Sequence, residues 1–307
     1  MSTLETQAPS GTRVITQSQA VNEALAEELR RDSTVYIIGE DVAEAGTPFK
    51  VMSGLVEEFG PERVIDSPIS EPGITGLALG AAMTGMRPVV DIMFGDFLTL
   101  IMDQLVNQAA KIRYMSGGHF KAPLTVRTTL GATRRSAAQH SQSLHAWVAH
   151  VPGLKVALPA TPADAKGLMK AAIRDDNRVV IFEDKMDYAV KGDVPGGDHT
   201  VPFGVADVKR SGDDVTVVAT SSMVRVALAA AEQLEAEGIS VEVIDPRTLV
   251  PFDVETVTRS AAKTGRAIVV DEGHRSYGAS AEIAAGVRFA LDAPFPAASE
   301  VTADVYA

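Results

Sequence analysis

The chain has 307 residues, 46% of them hydrophobic and 22% charged, which is typical of a globular protein long enough for two domains. A formal net charge of −12, with no run of lysine and arginine longer than a pair, argues against nucleic-acid binding. The absence of cysteine excludes disulfides, thiolate metal sites and cysteine nucleophiles, and no apolar stretch reaches the roughly 18 residues that a membrane span requires.

Residues 1–12 are polar, which predicts a flexible arm, and because they lack an apolar core we expect no signal peptide and a cytoplasmic protein. Strand and helix patterns then alternate from residue 13 to residue 186. Predicted strands lie at 35–38, 63–66, 86–94, 124–130, 155–158 and 179–182. The first predicted helix begins at a cap, Thr16 or Ser18, and ends at residue 31. Further helices are predicted over 72–84, from Gly95 or Asp96 to residue 112, and over 162–173. Gly39-Glu40-Asp41 is interpreted as a simple turn rather than as a second functional loop.

Residues 183–212 lose this periodicity and contain five glycines and two prolines, so a linker is predicted at 187–202. The second domain, 203–307, has predicted strands at 214–220, 241–244 and 266–271, which alternate with helices at 223–237, 254–263 and 280–291. Three successive βα units predict a second, smaller parallel sheet. The predicted fold class is therefore α/β, with two parallel, doubly wound domains.

A single carboxylate, Glu71, stands between the predicted strand at 63–66 and the helix at 72–84. Ser70 and Pro72 provide residue types suited to a helix cap and a first turn. Since ligands of parallel sheets bind beyond the carboxyl ends of the strands, Glu71 is expected to face a crevice. The alternative is a helix-start carboxylate that is favoured only by the helix dipole.

Four segments occur in an order that resembles a known family. They are IDSPISEPGITGLALGAAMTGMRPVVDIMFGDF (65–97), DQLVNQAAKIRYMSGG (103–118), AQHSQSLHAW (138–147) and HVPGLKVALPATPADAKGLMKAAIRDDN (150–177). Together they are similar to the β subunits of thiamine-diphosphate-dependent 2-oxo acid and acetoin dehydrogenase first components. The resemblance implies a pyrimidine-binding domain followed by a transketolase C-terminal-like domain.

The resemblance assigns Glu71 and Phe97 to the cofactor. It implies that Glu71 hydrogen-bonds a ring nitrogen of the aminopyrimidine and favours its imino tautomer, which requires a carboxyl group in a largely dry cleft. It also implies that Phe97 stacks on the same ring, since a flat apolar partner orients it. Without the resemblance, Phe97 reads as a core residue at the start of a helix.

His140 lies in a polar loop, Gln139-His140-Ser141-Gln142, after the strand at 124–130. A histidine can exchange a proton near neutral pH, which suits acyl transfer to a dithiolane sulfur. The resemblance implies that this histidine lines the channel for the lipoyl arm of an acyltransferase component. His145 lies in the same motif, and we favour His140 over it.

The resemblance further implies a K⁺ site made by main-chain carbonyl groups after the helix at 162–173. The carbonyl groups would come from Leu124, Ala172, Ile173, Asp175 and Asn177. A helix C-terminus also exposes carbonyl groups without any ion.

Motifs that hold a diphosphate are missing from the sequence. It contains no G-x-G-x-x-G, no P-loop and no Gly-Asp-Gly followed by Asn. The resemblance explains this gap, because in the family a separate α subunit holds the diphosphate and Mg²⁺. It therefore implies an α2β2 heterotetramer with a β–β contact, joined to a lipoyl-bearing component.

Two functions are compatible with these features. The first is the β half of a dehydrogenase component that acts on pyruvate, acetoin or a branched 2-oxo acid. The second is a non-catalytic assembly subunit that keeps only the transketolase-like fold. The joint presence of Glu71, Phe97 and His140 favours the enzyme.

Overall fold

The computed structural model describes residues 11–132 and 134–292. The strands are β1 (Thr12–Thr16), β2 (Val35–Gly39), β3 (Val64–Asp66), β4 (Arg87–Ile92), β5 (Thr125–Leu130), β6 (Leu154–Ala157), β7 (Arg178–Asp184), β8 (Lys191–Pro195), β9 (Asp207–Arg210), β10 (Val215–Ala219), β11 (Val241–Asp245), β12 (Thr248–Val250) and β13 (Ala267–Val270). The α-helices are α1 (Gln17–Arg31), α2 (Leu55–Phe59), α3 (Glu71–Met83), α4 (Ala110–Met115), α5 (His145–Ala149), α6 (Pro162–Arg174), α7 (Met223–Glu235), α8 (Val254–Thr264) and α9 (Ala279–Asp292). Within these two ranges, no helix has the length and apolar character needed to cross a membrane.

The larger sheet has seven strands in the order β12-β6-β7-β5-β4-β2-β3. Its neighbouring strands are parallel, except that β12 pairs antiparallel with β6. Helices cover both faces of this sheet. Successive residues of a strand point to opposite faces, so neighbouring residues pack against different helices. Ile37 of β2 clusters with Leu25 of α1 on one face, whereas the next residue, Ile38, clusters with Ile74 of α3 on the other. This arrangement confirms the predicted doubly wound α/β fold.

The smaller sheet has four strands in the order β13-β10-β11-β9. The three strands predicted from βα units are parallel to one another, as expected. The fourth strand, β9, lies antiparallel at the edge and was not predicted. Its sequence, Asp-Val-Lys-Arg, has one apolar residue and therefore gives no hydrophobic pattern.

The segment predicted as a linker contains β8, which pairs antiparallel with β1. Of the predicted arm, residues 1–10 lie outside the described residues, and β1 begins at Thr12. The domain limits of 13–186 and 203–307 remain predictions.

The long helix predicted after Gly95 is instead divided into a 3₁₀ segment (Gly95–Ile101), a π segment (Asp103–Ala109) and α4. Its first turn is held close to β5, since a Cβ on Gly95 would lie only 2.4 Å from the carbonyl oxygen of Thr129. Asp96, one residue later, accepts a 2.8 Å hydrogen bond from the Gln142 side chain. Apolar spacing alone could not reveal these two contacts.

Candidate active site

The candidate site lies at the edge of the larger sheet where the parallel strands end, as expected for this architecture. β2 and β3 are neighbours there, with Gly39 opposite Asp66. Glu40 directly follows the first of these strands, and Glu71 follows the second after a short loop. The fold therefore brings two carboxylates to one place.

Glu71 is the first residue of α3 and is 7% exposed. Ser70 occupies the N-cap position, as predicted, but its side chain makes no capping hydrogen bond, and the helix begins one residue earlier than predicted. No residue in the described ranges donates a hydrogen bond to the Glu71 carboxylate. Because the residue is nearly buried while its carboxylate oxygens are not fully enclosed, this carboxylate can receive a ligand.

Glu40 is a further candidate site residue, which the sequence analysis did not identify because Gly39-Glu40-Asp41 was interpreted as a turn. Burial raises the pKa of Glu40, and the nearby charge of Glu71 raises it further. Its Oε1 atom is buried and has no partner among the described residues. The available signal was its position immediately after a buried strand adjacent to β3.

An aromatic cluster brings Phe97 and His140 together. Their ring centroids are 5.4 Å apart, and Phe94 lies 4.6 Å from His140 and 5.7 Å from Phe97, in edge contacts throughout. Phe97 stands on the 3₁₀ segment against which α3 packs. The cluster and Glu71 are therefore carried by neighbouring elements at the same edge of the sheet.

His145 is placed differently from His140. Its side chain is fully buried, and its Nε2 lies 3.1 Å from the carboxylate of Asp271, which follows β13 of the smaller sheet. His145 therefore joins the two halves of the described structure.

The carbonyl groups expected to bind K⁺ lie near a guanidinium. Arg87 Nη1 donates to the carbonyl oxygens of Ile173, at 3.1 Å, and Asp175, at 3.0 Å. The carbonyl oxygens of Leu124 and Ala172 accept backbone hydrogen bonds from Val179 and Asp175. Each of these oxygens keeps a second lone pair. The site remains a prediction.

Comparison with known proteins first defines the class. Two family profiles match: the transketolase pyrimidine-binding domain over residues 13–191 and the transketolase C-terminal domain over residues 204–301. A solved structure described as a split-gene transketolase, inactive β4 tetramer, matches with a TM-score of 0.75 and 25% identity, over 92% of this chain and 86% of that one. The fold is thus that of a transketolase-type protein.

Closer relatives define the family. The β subunit of acetoin:2,6-dichlorophenolindophenol oxidoreductase from Bacillus subtilis is 49% identical over 89% of this chain and 83% of its own length. The 2-oxoisovalerate dehydrogenase β subunit of the same organism is 46% identical over 92% of this chain and 88% of its own length. The β subunit of the pyruvate dehydrogenase E1 component from Rickettsia conorii is 48% identical over 88% of this chain and 83% of its own length. The chain belongs to this family of 2-oxo acid and acetoin dehydrogenase β subunits. Membership confirms the predicted resemblance and favours the enzyme over an assembly subunit.

Proposed function

We propose that this chain supplies the pyrimidine-binding half of a thiamine diphosphate site in an α2β2 dehydrogenase component. The α subunit would hold the diphosphate and Mg²⁺, and the assembly would act on pyruvate, acetoin or another 2-oxo acid. The acyl group would pass to the lipoyl arm of a second component. The observation that best supports this proposal is that Glu71, 7% exposed, and the cluster of Phe97 and His140 are carried by neighbouring elements at one edge of the sheet.

The residues at this edge fit an aminopyrimidine. A ring nitrogen requires a carboxyl group that can exchange a proton in a poorly hydrated place, and Glu71 is such a group. An exocyclic amine requires an acceptor, and Glu40 Oε1 is buried with no partner in the described chain. A planar ring requires an apolar surface, which Phe97 offers.

Bound thiamine diphosphate would supply the nucleophilic carbon and take up the electrons of the bond that breaks. The part of this chain is to hold and move protons. Glu71 would exchange a proton with the pyrimidine nitrogen, and Phe97 would fix the plane of that ring. His140, whose ring touches Phe97, would hold or release a proton during transfer to the lipoyl sulfur.

The chain is expected to need its partner for activity. Its sequence has no recognisable cradle for phosphate, and the matched split-gene transketolase structure is itself described as an inactive β4 tetramer. Calorimetric titration of thiamine diphosphate and Mg²⁺ into the chain alone, and into the chain assembled with a family α subunit, tests this. We expect tight binding only in the assembly. Tight binding by the chain alone, or no binding by the assembly, would contradict the proposal.

We also propose a structural K⁺ at the end of α6. Its main-chain ligands would be Leu124, Ala172, Ile173, Asp175 and Asn177. Support comes from the Ile173 and Asp175 carbonyl oxygens, which lie close enough together to contact one nitrogen, Arg87 Nη1. K⁺ would have to displace that nitrogen. Replacing K⁺ by Li⁺ in the buffer should lower the thermal midpoint of the assembled enzyme.

A further inference from the structure

Within residues 11–132 and 134–292, the imidazole of His140 is held by ring contacts alone. The rings of Phe94 and Phe97 make edge contacts with it, and neither of its nitrogens has a hydrogen-bond partner in these ranges. Free nitrogens suit a group that exchanges protons, but no polar contact then fixes the direction of the ring. The position of His140 must therefore be set by the backbone that carries it.

Two buried charged side chains hold that backbone. Lys185 is 3% exposed, and its Nζ donates a hydrogen bond to the carbonyl oxygen of His140 itself. Asp96 is 5% exposed and accepts hydrogen bonds from the backbone N–H of Gln142, at 3.3 Å, and from its side chain, at 2.8 Å. The loop is thus held at His140 and again two residues later.

Burying an ammonium group is costly unless the group has partners. Burial lowers the pKa of Lys185, and the charge of Asp96 is the largest effect that opposes this. The ammonium also lies 5.5 Å from the centroid of Phe94, the ring closest to His140. Lys185 thus contacts both the backbone of His140 and one of the rings that confine its side chain.

The position of Lys185 is fixed by the sheet rather than by the loop. It directly follows β7, and its backbone N–H donates to the carbonyl oxygen of Leu130 at the end of β5. A side chain whose backbone is fixed by paired strands has a defined position, so a hydrogen bond from it can hold a loop in place.

We infer that Lys185 is a positioning residue for His140, with Asp96 as a second hold on the same loop. This inference rests on the role proposed above for His140. Lys185 has no chemical step of its own. It sets where the imidazole stands when the acyl group is transferred.

The test is a double-mutant cycle in the assembled enzyme with Lys185→Met, which keeps most of the length of the side chain but removes its charge and its donors. Alone, it should lower lipoamide-linked turnover by at least ~10-fold, a partial loss of the roughly 10²–10⁴-fold that a well-positioned acid–base group contributes. In a His140→Ala background, Lys185→Met should lower the remaining turnover by less than about 2-fold, because both substitutions act through the His140 imidazole. Lys185→Arg, which keeps the charge and the donors, is the matched control and should recover most of the activity.

A second readout is independent of activity. The rate at which diethylpyrocarbonate modifies His140, followed by peptide mass spectrometry, should change severalfold in Lys185→Met. The exposed His119 should react as before. If Lys185→Met does not assemble, the same rate is measured in its unassembled chain. Gln142→Leu, at an exposed position, tests the hold by Asp96 and should also shift the His140 rate.

The outcomes separate the two claims. Equal losses from Lys185→Met with and without His140, or an unchanged His140 modification rate, would overturn the positioning role. If His140→Ala leaves lipoamide-linked turnover unchanged, the proposed role of His140 fails. The modification rate would then still decide whether Lys185 positions the imidazole.

Discussion

Glu40 and Glu71 follow two adjacent parallel strands and lie near enough for the charge of Glu71 to raise the pKa of Glu40. Burial is the larger cause of that rise. The raised pKa favours the protonated form of Glu40. A carboxyl group that holds a proton suits the proposed binding of an aminopyrimidine.

The first prediction concerns this pair. Glu71→Gln removes the neighbouring charge, so the pKa of Glu40 should fall towards its ordinary value while the effect of burial remains. Titration of the chain with ¹³C-labelled glutamate carboxyl groups would measure it, with the Glu40 signal assigned by its loss in Glu40→Gln. Glu44→Gln, an exposed neighbour in the same loop, is the control and should leave Glu40 unchanged. If the pKa of Glu40 is the same in Glu71→Gln as in the unaltered chain, the two carboxylates do not interact.

The second prediction separates two stages of the reaction. His140→Ala should lower lipoamide-linked turnover by ~10²-fold or more, the usual scale for a lost acid–base group, and affect turnover with an artificial electron acceptor much less. The reason is that the proposed role of His140 belongs to acyl transfer, after the substrate carbonyl has reacted. His145→Gln, in the same motif but buried against Asp271, is a comparison and should act mainly on stability. Equal losses in the two assays of His140→Ala would disprove the assigned stage.

Much of the fold was predictable from sequence because buried parallel strands and amphipathic helices have distinct periods. The strands at 35–38 and 241–244 were predicted almost to the residue. Strands β9 and β12 were not, because each is short and joins its sheet only through contacts made by the folded chain. The π segment was also unpredictable, since its apolar residues repeat much as in an α-helix.

The candidate site was predictable to a similar extent. Glu71, Phe97 and His140 were found through motifs, and the structure brings the last two into contact. Glu40 was missed because Gly39-Glu40-Asp41 was interpreted as a turn rather than as a second loop at this edge of the sheet. Lys185 was missed because its hydrogen bond to His140 spans 45 residues of sequence. Long-range contacts of this kind follow from the sheet order and have no local signature.

The third prediction is a pH effect on stability. Burial and the nearby charge of Asp184 raise the pKa of Glu272 to about 7, and Glu272 Oε2 and Asp184 Oδ2 converge on Gly131. Because the folded pKa lies above the ordinary 4.5, the stability that this proton gives is full below pH 4.5 and is lost as pH rises through about 7. Glu272→Gln cannot ionise, so it should raise stability at pH 8 by on the order of 1 kcal/mol, after allowance for solvent screening, and have little effect at pH 5.

Thermal unfolding midpoints at the two pH values would measure this effect. The exposed Glu237→Gln is the matched control and should be neutral at both. An equal change at pH 5 and pH 8 in Glu272→Gln would mean that the pKa of Glu272 is not raised in the folded chain.

The most direct test of the central claim is hydrogen–deuterium exchange at the reactive carbon of thiamine diphosphate in the assembled enzyme. Glu71→Gln keeps the size of the side chain but cannot exchange a proton with the pyrimidine nitrogen. The account predicts that exchange slows by at least ~10²-fold. It also predicts a change in stability below about 1 kcal/mol, because a helix start tolerates this substitution. Exchange at the unaltered rate in Glu71→Gln would show that Glu71 is a structural residue and would contradict the assignment of the site.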